Sequence, residues 1–410
     1  MKTISIIGTG RVGLPLALFF ETLGYNVKGI DVDKNIIKIL QTGQMPFHEP
    51  GCQELLNKSS IVFTSDINAV GGSDYILITV GTPLMQHIET DLSNIDAVIQ
   101  EIAPIIKKGQ CIVLRSTISP NTTKYVKTFI EEKIKLEVGK DVGLAFCPER
   151  LAENKALDEL KSLPQIVGCE DELSFELACK LFEPSGVKIL KTNYLSAELT
   201  KLFNNISRYV DFALSNQLAM TASEYGQNIH EILRLANEDY PRGFIARPGL
   251  TAGTCLRKDF GMINENTPHV DLFLASWKVN ENMPLYLVKE ANKHKEIKGS
   301  KVAVLGYTFK KDSDDTRDTL VPKLMRYIHR QVPGELMLCE PNIDSQIIEG
   351  YPNYSLDEVL DKADIVFVAV NHTHFNKNAS IVDKVKDGTI IIDIWNSLGL
   401  NKVVYKKGTI

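Results

Sequence analysis

Two groups of residues in this chain have types and spacing suited to chemistry. Gly8, Gly10 and Gly13 follow a short apolar run in the pattern Gly-x-Gly-x-x-Gly, and Cys255 stands in the segment 253–259, Gly-Thr-Cys-Leu-Arg-Lys-Asp. Glycines at this spacing let a backbone turn tightly and approach the pyrophosphate of a dinucleotide. A thiolate can add to an aldehyde and hold it covalently. Together they indicate an oxidation that continues beyond the carbonyl stage.

The glycine turn needs a strand before it and a helix after it. Residues 4–7 are an apolar run of strand length, 14–23 have helical spacing, and 27–30 form a second strand-like run, which predicts a βαβ unit. Asp31 ends that second run, where a carboxylate accepts ribose hydroxyls and repels a 2′-phosphate. The pattern favours NAD over NADP; a glycine turn that binds no nucleotide remains the alternative.

The rest of the chain continues this alternation and then changes. We expect strands at 61–63, 75–80, 111–114 and 142–146, with a helix over 92–106. Residues 195–237 and 270–294 have helical patterns without a convincing strand, and a new strand is expected at 301–305. The predicted domains are an NAD-binding domain at 1–193, a helical central domain at 194–298 and a C-terminal α/β domain at 299–410.

The two ends of the chain resemble each other. Residues 73–80 are similar to 363–370, and 108–114 are similar to 386–392, in the same order. These matches predict an α/β fold in which two Rossmann-like doubly wound domains are joined by a helical central domain. Such sheets bind ligands beyond the carboxyl ends of their strands. A cofactor on one domain and a substrate on the other would then meet.

Composition excludes several classes of protein. The 410 residues are 44% hydrophobic and 24% charged, with a net charge of −5 and no long block of like charge, so neither nucleic acid nor a membrane surface is predicted as a partner. No secretory leader and no apolar run of about 18 residues is recognised. The seven cysteines are scattered without C-x-x-C spacing, which favours reduced thiols. A cytoplasmic protein is expected.

Seven motifs occur in the order seen in nucleotide-sugar 6-dehydrogenases. They are the glycine turn and the segments 80–83 (VGTP), 115–117 (RST), 147–153 (CPERLAE), 198–205 (ELTKLFNN), 253–259 (GTCLRKD) and 306–317 (GYTFKKDSDDTR). The chain resembles the UDP-glucose, UDP-N-acetylhexosamine and GDP-mannose dehydrogenases over nearly its whole length. The resemblance implies oxidation of a sugar C6 alcohol to a carboxylate with two NAD, and a role in supplying uronic acids for surface polysaccharide.

The resemblance and the residues together suggest catalytic roles. Cys255 is the predicted nucleophile: its thiohemiacetal could lose a second hydride and become a thioester that water hydrolyses. Arg257 and Lys258 would lower its pKa if they face it. Lys201 and Asn205 are four residues apart in a helical stretch, so they share a face from which an ammonium and an amide could stabilise an oxyanion. The alternatives are a small buried cysteine, which we favour for the other six thiols, and a solvated surface lysine.

Three further roles depend on the resemblance. Asp259, four residues after Cys255, would orient a water or the lysine. Glu149 and Thr117 each follow a predicted strand, and the resemblance makes Glu149 the base for thioester hydrolysis and Thr117 the residue that positions the attacking water. The alternative for Glu149 is a carboxylate that complements the start of a helix.

The resemblance also implies the binding residues. Those expected to bind the cofactor are Gly8, Gly10, Arg11, Val12, Gly13, Asp31, Thr82, Ser116, Thr117, Glu153 and Arg317. Those expected to bind the substrate are Glu149, Leu151, Lys201, Asn205, Arg242, Arg247, Gly253 and Lys310. The family often takes an arginine near 242–247 from a partner subunit, so a homodimer is predicted. Ordinary solvated charges remain the alternative for Lys310 and Arg317.

Two segments bear on the sugar, and one on metals. The stretch 248–254 has fewer glycines than in many relatives, and side chains there would restrict the backbone and crowd the sugar pocket. Segments 371–375 and 147–150 are closer to the N-acetylhexosamine branch than to the UDP-glucose branch. His372 and His374 are predicted in a loop after a strand, and no metal site is expected.

Two rival functions remain open at this point. A two-electron β-hydroxyacid dehydrogenase shares the cofactor fold and a helical middle with a lysine, but it needs no cysteine. A nucleotide-sugar sensor would bind both ligands without turnover. The joint presence of Cys255, Lys201, Asn205 and Glu149 argues against the sensor, whereas Cys255→Ala would separate the two enzymes, because it should leave only the hydroxyacid dehydrogenase active.

Overall fold

A computed structural model describes residues 1–83, 90–265, 267–377 and 381–408, without the side chains of residues 254, 255, 257 and 377. The chain forms two compact units. The first comprises Met1–Asn205 with Lys258–Pro268, and the second comprises Ile206–Arg257 with His269–Ile410. In the described part of the chain, no helix has both the length and the apolar character required to cross a membrane.

The first unit is built on an eight-stranded sheet. Its strands are β1 (Thr3–Ile7), β2 (Asn26–Ile30), β3 (Val62–Thr64), β4 (Tyr75–Ile78), β5 (Cys111–Leu114), β6 (Gly143–Phe146), β7 (Gln165–Gly168) and β8 (Ile189–Thr192). The order is β3-β2-β1-β4-β5-β6-β7-β8, parallel except between β6 and β7. The first six follow the order of a doubly wound dinucleotide-binding fold.

Helices cover both faces of this sheet. They are α1 (Gly13–Thr22), α2 (Lys34–Gln41), α3 (Cys52–Leu56), α4 (Ser93–Ile102), α5 (Thr122–Phe129), α6 (Ala156–Ser162) and α7 (Glu172–Phe182). Alternate side chains of β1 enter separate cores: Ile4 and Ile6 pack with α1, while Ile7 packs with α4. Burial on both faces explains why the central strands β4 and β5 are continuous apolar runs rather than alternating ones.

Four helices lie between β8 and the first strand of the second unit in chain order. They are α8 (Tyr194–Glu224), α9 (Ile229–Asn237), α10 (Thr254–Asn264) and α11 (Asp271–His294). The division between the units falls within α8 and within α10. Cys255 is the second residue of α10, a helix that the sequence analysis did not predict. The helical pattern expected over 195–237 and 270–294 agrees with α8, α9 and α11.

The second unit contains a five-stranded sheet. Its remaining elements are β9 (Lys301–Leu305), α12 (Val321–His329), β10 (Glu335–Cys339), β11 (Ile347–Ile348), β12 (Tyr351–Pro352), α13 (Leu356–Lys362), β13 (Ile365–Val368), α14 (Thr373–Lys377), α15 (Ile381–Lys384), β14 (Ile390–Ile392) and β15 (Val404–Lys406). The order is β10-β9-β13-β14-β15, with β15 antiparallel and β11–β12 a separate hairpin. One face packs with α8, α9 and α11, and the other with α13.

The two sheets repeat one local design, as the similarity between the chain ends predicted. Gly8 (φ +96°) follows β1, and Gly306 (φ +93°) follows β9. The N–H of Gly8 donates to the Ile30 carbonyl at 2.8 Å, and the N–H of Gly306 donates to the Cys339 carbonyl at 2.8 Å. Two Rossmann-like sheets with a helical centre are thus confirmed. The boundaries 1–193, 194–298 and 299–410 stay a prediction.

Candidate active site

The glycine turn of the first unit has space for a dinucleotide. A Cβ on Gly13 would lie 1.8 Å from the Gly8 carbonyl oxygen, so this position requires glycine for packing. A Cβ on Gly10 would meet no atom within 4 Å, so packing within the chain does not require glycine at this position. The turn leads into α1, whose N-terminal N–H groups attract a pyrophosphate. These residues fit NAD, which supplies a hydride acceptor when bound.

Asp31, predicted to accept the ribose hydroxyls, accepts backbone hydrogen bonds on both carboxylate oxygens. Its Oδ2 accepts the backbone N–H of Thr9 at 2.7 Å, and its Oδ1 accepts the N–H of Asp33 at 3.0 Å. The carboxylate is half-buried, which leaves lone pairs accessible from solvent. Arg11, also predicted to contact the cofactor, stacks its guanidinium 5.0 Å from the centre of the Phe47 ring. Val12 immediately precedes α1.

Three hydroxyl residues predicted to bind cofactor lie at the carboxyl edge of the first sheet. Thr82 Oγ1 donates to the Thr117 carbonyl at 2.6 Å, and Ser116 Oγ donates to the Val80 carbonyl at 2.7 Å. Lys258 Nζ donates to Thr82 Oγ1 at 2.9 Å. The sequence pointed to Lys258 only as a charge near Cys255. This link to Thr82 joins residues 176 positions apart, which no local pattern indicates.

Lys201, Asn205 and Asp259 form a buried polar group. Asn205 Nδ2 donates to Asp259 Oδ2 at 2.6 Å, while Asp259 Oδ1 is buried with no hydrogen-bond partner among the described residues. Burial raises the pKa of Asp259, and the charges of Lys258 and Lys201 and the Asn205 hydrogen bond oppose that rise. The structure therefore brings together Lys201, Asn205 and Asp259, which were predicted to be catalytic. It adds Lys258, which the sequence suggested only as a charge near Cys255.

Cys255 and Arg257 have side chains outside the described part of the structure. The backbone of α10 begins at Thr254, so position 255 lies in the first turn of the helix and Asp259 one turn later. A helix N-terminus favours a thiolate because its N–H groups carry partial positive charge. The predicted role of Cys255 remains a prediction.

Five of the other six cysteines are buried core residues, and Cys179 is half-buried. Burial raises the pKa of Cys52, Cys147 and Cys339 to about 12, and it also raises the pKa of Cys111, Cys169 and the half-buried Cys179. Thiols held protonated in apolar surroundings are inert. This agrees with the expectation that none of these six is the nucleophile.

Glu149 lies against a buried arginine. Its Oε2 accepts from Arg115 NH2 at 2.5 Å, and its Oε1 accepts the backbone N–H groups of Arg150 and Leu151 at 2.8 and 3.1 Å. The Arg115 guanidinium also lies 5.3 Å from the centre of the Phe182 ring and donates to Gln165. The sequence placed Arg115 in a motif without a role. The structure makes it the partner of the predicted base.

The remaining predicted binding residues of the first unit, Leu151 and Glu153, lie in the same segment as Glu149. Leu151 is half-buried and packs on the hydrophobic core of the first unit. Glu153 is half-buried in the turn before α6. Neither position is tested by a bound ligand, so their predicted contacts remain predictions.

The segment before Cys255 is fixed within the second unit. Asn216 Oδ1 accepts the N–H of Gly249 at 2.8 Å, and a Cβ on Gly249 would lie 2.2 Å from the Trp395 ring. Gly253 (φ +101°) donates its N–H to the Asp318 carbonyl at 3.1 Å. Leu250 is 4% exposed and belongs to the core of the unit. The segment 248–254, which has fewer glycines than in many relatives, therefore contributes Leu250 to the core.

The arginine and lysine residues of the second unit that were predicted to bind ligands lie either at the surface or in the loop after β9. Arg317 forms a bidentate pair with Asp315, with Nε to Oδ1 at 2.9 Å and NH2 to Oδ2 at 2.6 Å. Arg242 and Arg247 are exposed, and the Arg242 guanidinium lies 5.0 Å from the Tyr240 ring centre. Lys310 is half-buried in the loop 306–318. Within the described ranges, no three metal-ligating side chains cluster.

Comparison with known proteins gives one consistent family. The models for the UDP-glucose/GDP-mannose dehydrogenase family match its NAD binding domain at residues 2–185, its central domain at 195–283 and its UDP binding domain at 303–399. The chain is 33% identical over 404 residues to the UDP-N-acetyl-D-mannosamine dehydrogenase of Pyrococcus horikoshii, covering 95% of this chain and 94% of that protein. It is 31% identical over 421 residues to the enzyme of that name from Methanocaldococcus jannaschii, covering 99% and 94%.

A solved structure agrees with this result. The structure of UDP-D-ManNAc dehydrogenase from Pyrococcus horikoshii superposes with a TM-score of 0.85 and 31% identity, covering 94% of this chain and 93% of that chain. The family models together span most of the chain, and the glycine turn with Asp31 fits the cofactor named by the first of them. The chain is a member of the UDP-glucose/GDP-mannose dehydrogenase family and an oxidoreductase that uses NAD.

Proposed function

We propose that this chain oxidises the C6 alcohol of a UDP-N-acetylhexosamine to the carboxylate, removing four electrons through a covalent bond to Cys255. The observation that carries the proposal is the buried group of Lys201, Asn205 and Asp259, with Asp259 one helical turn after Cys255 on α10. If Lys201 were a surface charge and Cys255 a core thiol, nothing would require the buried Asp259 carboxylate beside the ammonium groups of Lys201 and Lys258. Burying that carboxylate is unfavourable unless it has a function or partners.

The first half of the reaction produces an aldehyde. The alcohol would release its proton to solvent and its hydride to the nicotinamide when NAD is bound. The Lys201 ammonium and the second N–H of Asn205 stabilise the negative oxygen that develops at C6. Asp259 holds both side chains in place through the Asn205 hydrogen bond and through its charge on Lys201.

The second half depends on sulfur. The Cys255 thiolate adds to the aldehyde carbon, and the resulting thiohemiacetal anion would become a thioester by giving its hydride to the nicotinamide of a second NAD. A water then attacks the thioester carbon, and the sulfur leaves as thiolate. Thr117 positions this water. Of roughly four lone-pair sites on the Glu149 carboxylate, three are occupied in the structure, so one on Oε2 remains to accept the proton of the water.

The sugar is proposed from the relatives and from the sequence. The relatives at 33% and 31% identity are named UDP-N-acetyl-D-mannosamine dehydrogenases. Segments 371–375 and 147–150 favour the same branch of the family. An N-acetylhexosamine is therefore preferred over glucose.

A substrate panel with counted cofactor tests the proposal. UDP-N-acetylmannosamine, UDP-N-acetylglucosamine, UDP-N-acetylgalactosamine, UDP-glucose and GDP-mannose are each incubated with NAD, and NADH is measured per sugar consumed. Two NADH per UDP-N-acetylhexosamine are expected. One NADH would indicate a two-electron dehydrogenase, and none with any sugar would indicate a binding protein.

A pair of cysteine variants tests the covalent step. Cys255→Ala should form no uronic acid, because no thioester can be made. Cys179→Ala is the matched control, since Cys179 is only half-buried on α7 and lies outside the proposed site. Uronic acid formation by Cys255→Ala at the control's rate would refute the covalent mechanism.

The proposal includes a homodimer. Leu214 on α8 is 52% exposed, and Leu272 and Leu274 at the start of α11 are 63% and 42% exposed. Exposed apolar side chains of this kind suit a contact between subunits. Light scattering should give twice the chain mass, and Leu214→Glu should shift it toward the monomer; a monomeric active wild type would contradict the dimer.

A further inference from the structure

Both sheets place a carboxylate directly after their second strand. In the first unit Asp31 accepts the N–H of Thr9 at 2.7 Å on one oxygen and that of Asp33 at 3.0 Å on the other. In the second unit Glu340 follows β10 and accepts the N–H of Tyr307 at 2.7 Å on Oε2 and that of Asn342 at 2.8 Å on Oε1. The two carboxylates therefore hold equivalent turns in equivalent ways.

The surroundings of the two carboxylates differ. Asp31 is half-buried, whereas Glu340 is 2% exposed. The fully buried His372 lies against Glu340, with Nε2 3.0 Å from Glu340 Oε2. In dinucleotide-binding sheets, ribose hydroxyls take this position on the carboxylate. Here an imidazole of the chain itself takes the position.

The other ring nitrogen of His372 fixes the tautomer. The backbone N–H of Asp312 donates to His372 Nδ1 at 2.9 Å, and a backbone N–H can only donate. Nδ1 is therefore unprotonated, and Nε2 carries the hydrogen that is donated to Glu340. Burial would raise the pKa of Glu340, but the hydrogen bonds from His372, Tyr307 and Asn342 outweigh it and place the pKa below its usual range.

The His372 contacts hold both ends of one short segment. Glu340 binds the N–H groups of Tyr307 and Thr308, and His372 binds the N–H of Asp312, whose φ is +56°. The Asp312 carboxylate in turn accepts the backbone N–H of Thr373 at 2.6 Å. Lys310 lies between these fixed points. The Glu340–His372 pair therefore binds the backbone on both sides of Lys310.

We propose that Glu340 and His372 are positioning residues for Lys310, and that the imidazole replaces a nucleotide ribose at the second sheet. The pair converts a ribose-binding carboxylate into a support that presents Lys310 to the diphosphate of the nucleotide sugar. The inference rests on the proposed function for the contact between Lys310 and the substrate. It assigns the second sheet a mode of nucleotide binding that does not use the carboxylate after its second strand.

The test measures binding of UDP to the full chain by calorimetry. His372→Ala should raise the Kd for UDP about tenfold, as expected when one buried hydrogen bond is lost. Lys310→Ala should raise it as well, and the double variant should bind no more weakly than the weaker single variant, because His372 acts through Lys310. His374→Ala, an exposed histidine two residues away, is the matched control and should bind like the wild type.

Two conservative variants keep the test decisive if alanine disturbs folding. His372→Asn keeps an acceptor near Nδ1 for the Asp312 N–H, and His372→Gln keeps a donor near Nε2 for Glu340. Each should give a Kd between wild type and His372→Ala. Additive effects of His372→Ala and Lys310→Ala, or wild-type binding by both conservative variants, would overturn the proposal.

The binding assay involves no turnover, so it separates this inference from the proposed function. If UDP binding follows the expected cycle but no sugar is oxidised, the proposed function fails and the inference stands. If the wild type produces two NADH per sugar but the two variants are additive, the inference fails alone. A wild type that binds no UDP overturns the inference directly.

Discussion

Replacing Arg115 by methionine is the most demanding test of the contacts around the proposed base. The guanidinium is 0% exposed and Glu149 is 9% exposed, and NH2 lies 2.5 Å from Oε2. Methionine fills much of the same volume but removes the charge. Glu149 would then be a buried carboxylate held only by two backbone N–H groups.

Arg115→Met removes three contacts that stabilise the folded protein. Breaking a buried pair by removing one partner destabilises by about 3–5 kcal/mol, and the two remaining N–H bonds to Glu149 favour the lower end. The lost contacts of Arg115 with Phe182 and Gln165 contribute about 1 kcal/mol each. The total is about 5 kcal/mol, which at about 2–4 °C per kcal/mol lowers Tm by about 10–20 °C.

The assay is urea unfolding of the NAD-free protein, followed by circular dichroism, for Arg115→Met, Glu149→Gln and the double variant. The double variant should be more stable than the two single losses predict, by about 1–3 kcal/mol, since no charge is left unpaired. In turnover, Arg115→Met should slow thioester hydrolysis more than the first release of NADH. A loss below about 1 kcal/mol, or strict additivity, would refute the reasoning.

Three further predictions concern the glycine turn, a buried histidine and the cofactor preference. Gly10→Ala should leave the Tm of the NAD-free protein unchanged but weaken NAD binding, whereas Gly13→Ala should lower that Tm because its Cβ would clash with Gly8; thermal unfolding with and without NAD checks both. His230 has a pKa lowered to about 4 by burial, so its stabilising contribution is present above about pH 6.5 and lost as pH falls toward 4. His230→Asn should therefore gain up to about 3 kcal/mol relative to wild type between pH 7 and 4 in urea unfolding. Asp31→Ser should lower the preference for NAD over NADP, measured as the ratio of kcat/KM, by at least about tenfold.

Local patterns predicted the first six strands of the first sheet and β9 of the second, but not β7, β8 or β10. The glycine turn and the fully apolar runs at β4 and β5 leave few alternatives, because parallel strands covered on both faces are mostly apolar. The helix at α10 was not predicted. Its eleven residues are too few to be stable alone, so the fold around it decides its conformation.

Long-range polar contacts were beyond the reach of the sequence. Arg115 and Glu149 are 34 residues apart, and Lys258 and Thr82 are 176 apart. Residue types alone favoured solvated charges at such positions, since arginine and lysine are rarely fully buried without a partner. The resemblance predicts functional roles for Glu149 and Lys201. It did not indicate which groups contact them in the structure.

Asp31 and Glu340 show why a motif cannot be assigned a role by position alone. Each follows the second strand of a Rossmann-like sheet and binds the turn after the first strand. The accessible carboxylate keeps lone pairs for a ligand, whereas the enclosed one uses its own to bind His372 and backbone N–H groups. A buried carboxylate whose hydrogen bonds are already made gains nothing from a ribose, because the ligand would have to break bonds of equal strength. We therefore expect burial and prior hydrogen bonding, rather than strand order, to decide which of the two equivalent carboxylates can accept a ribose.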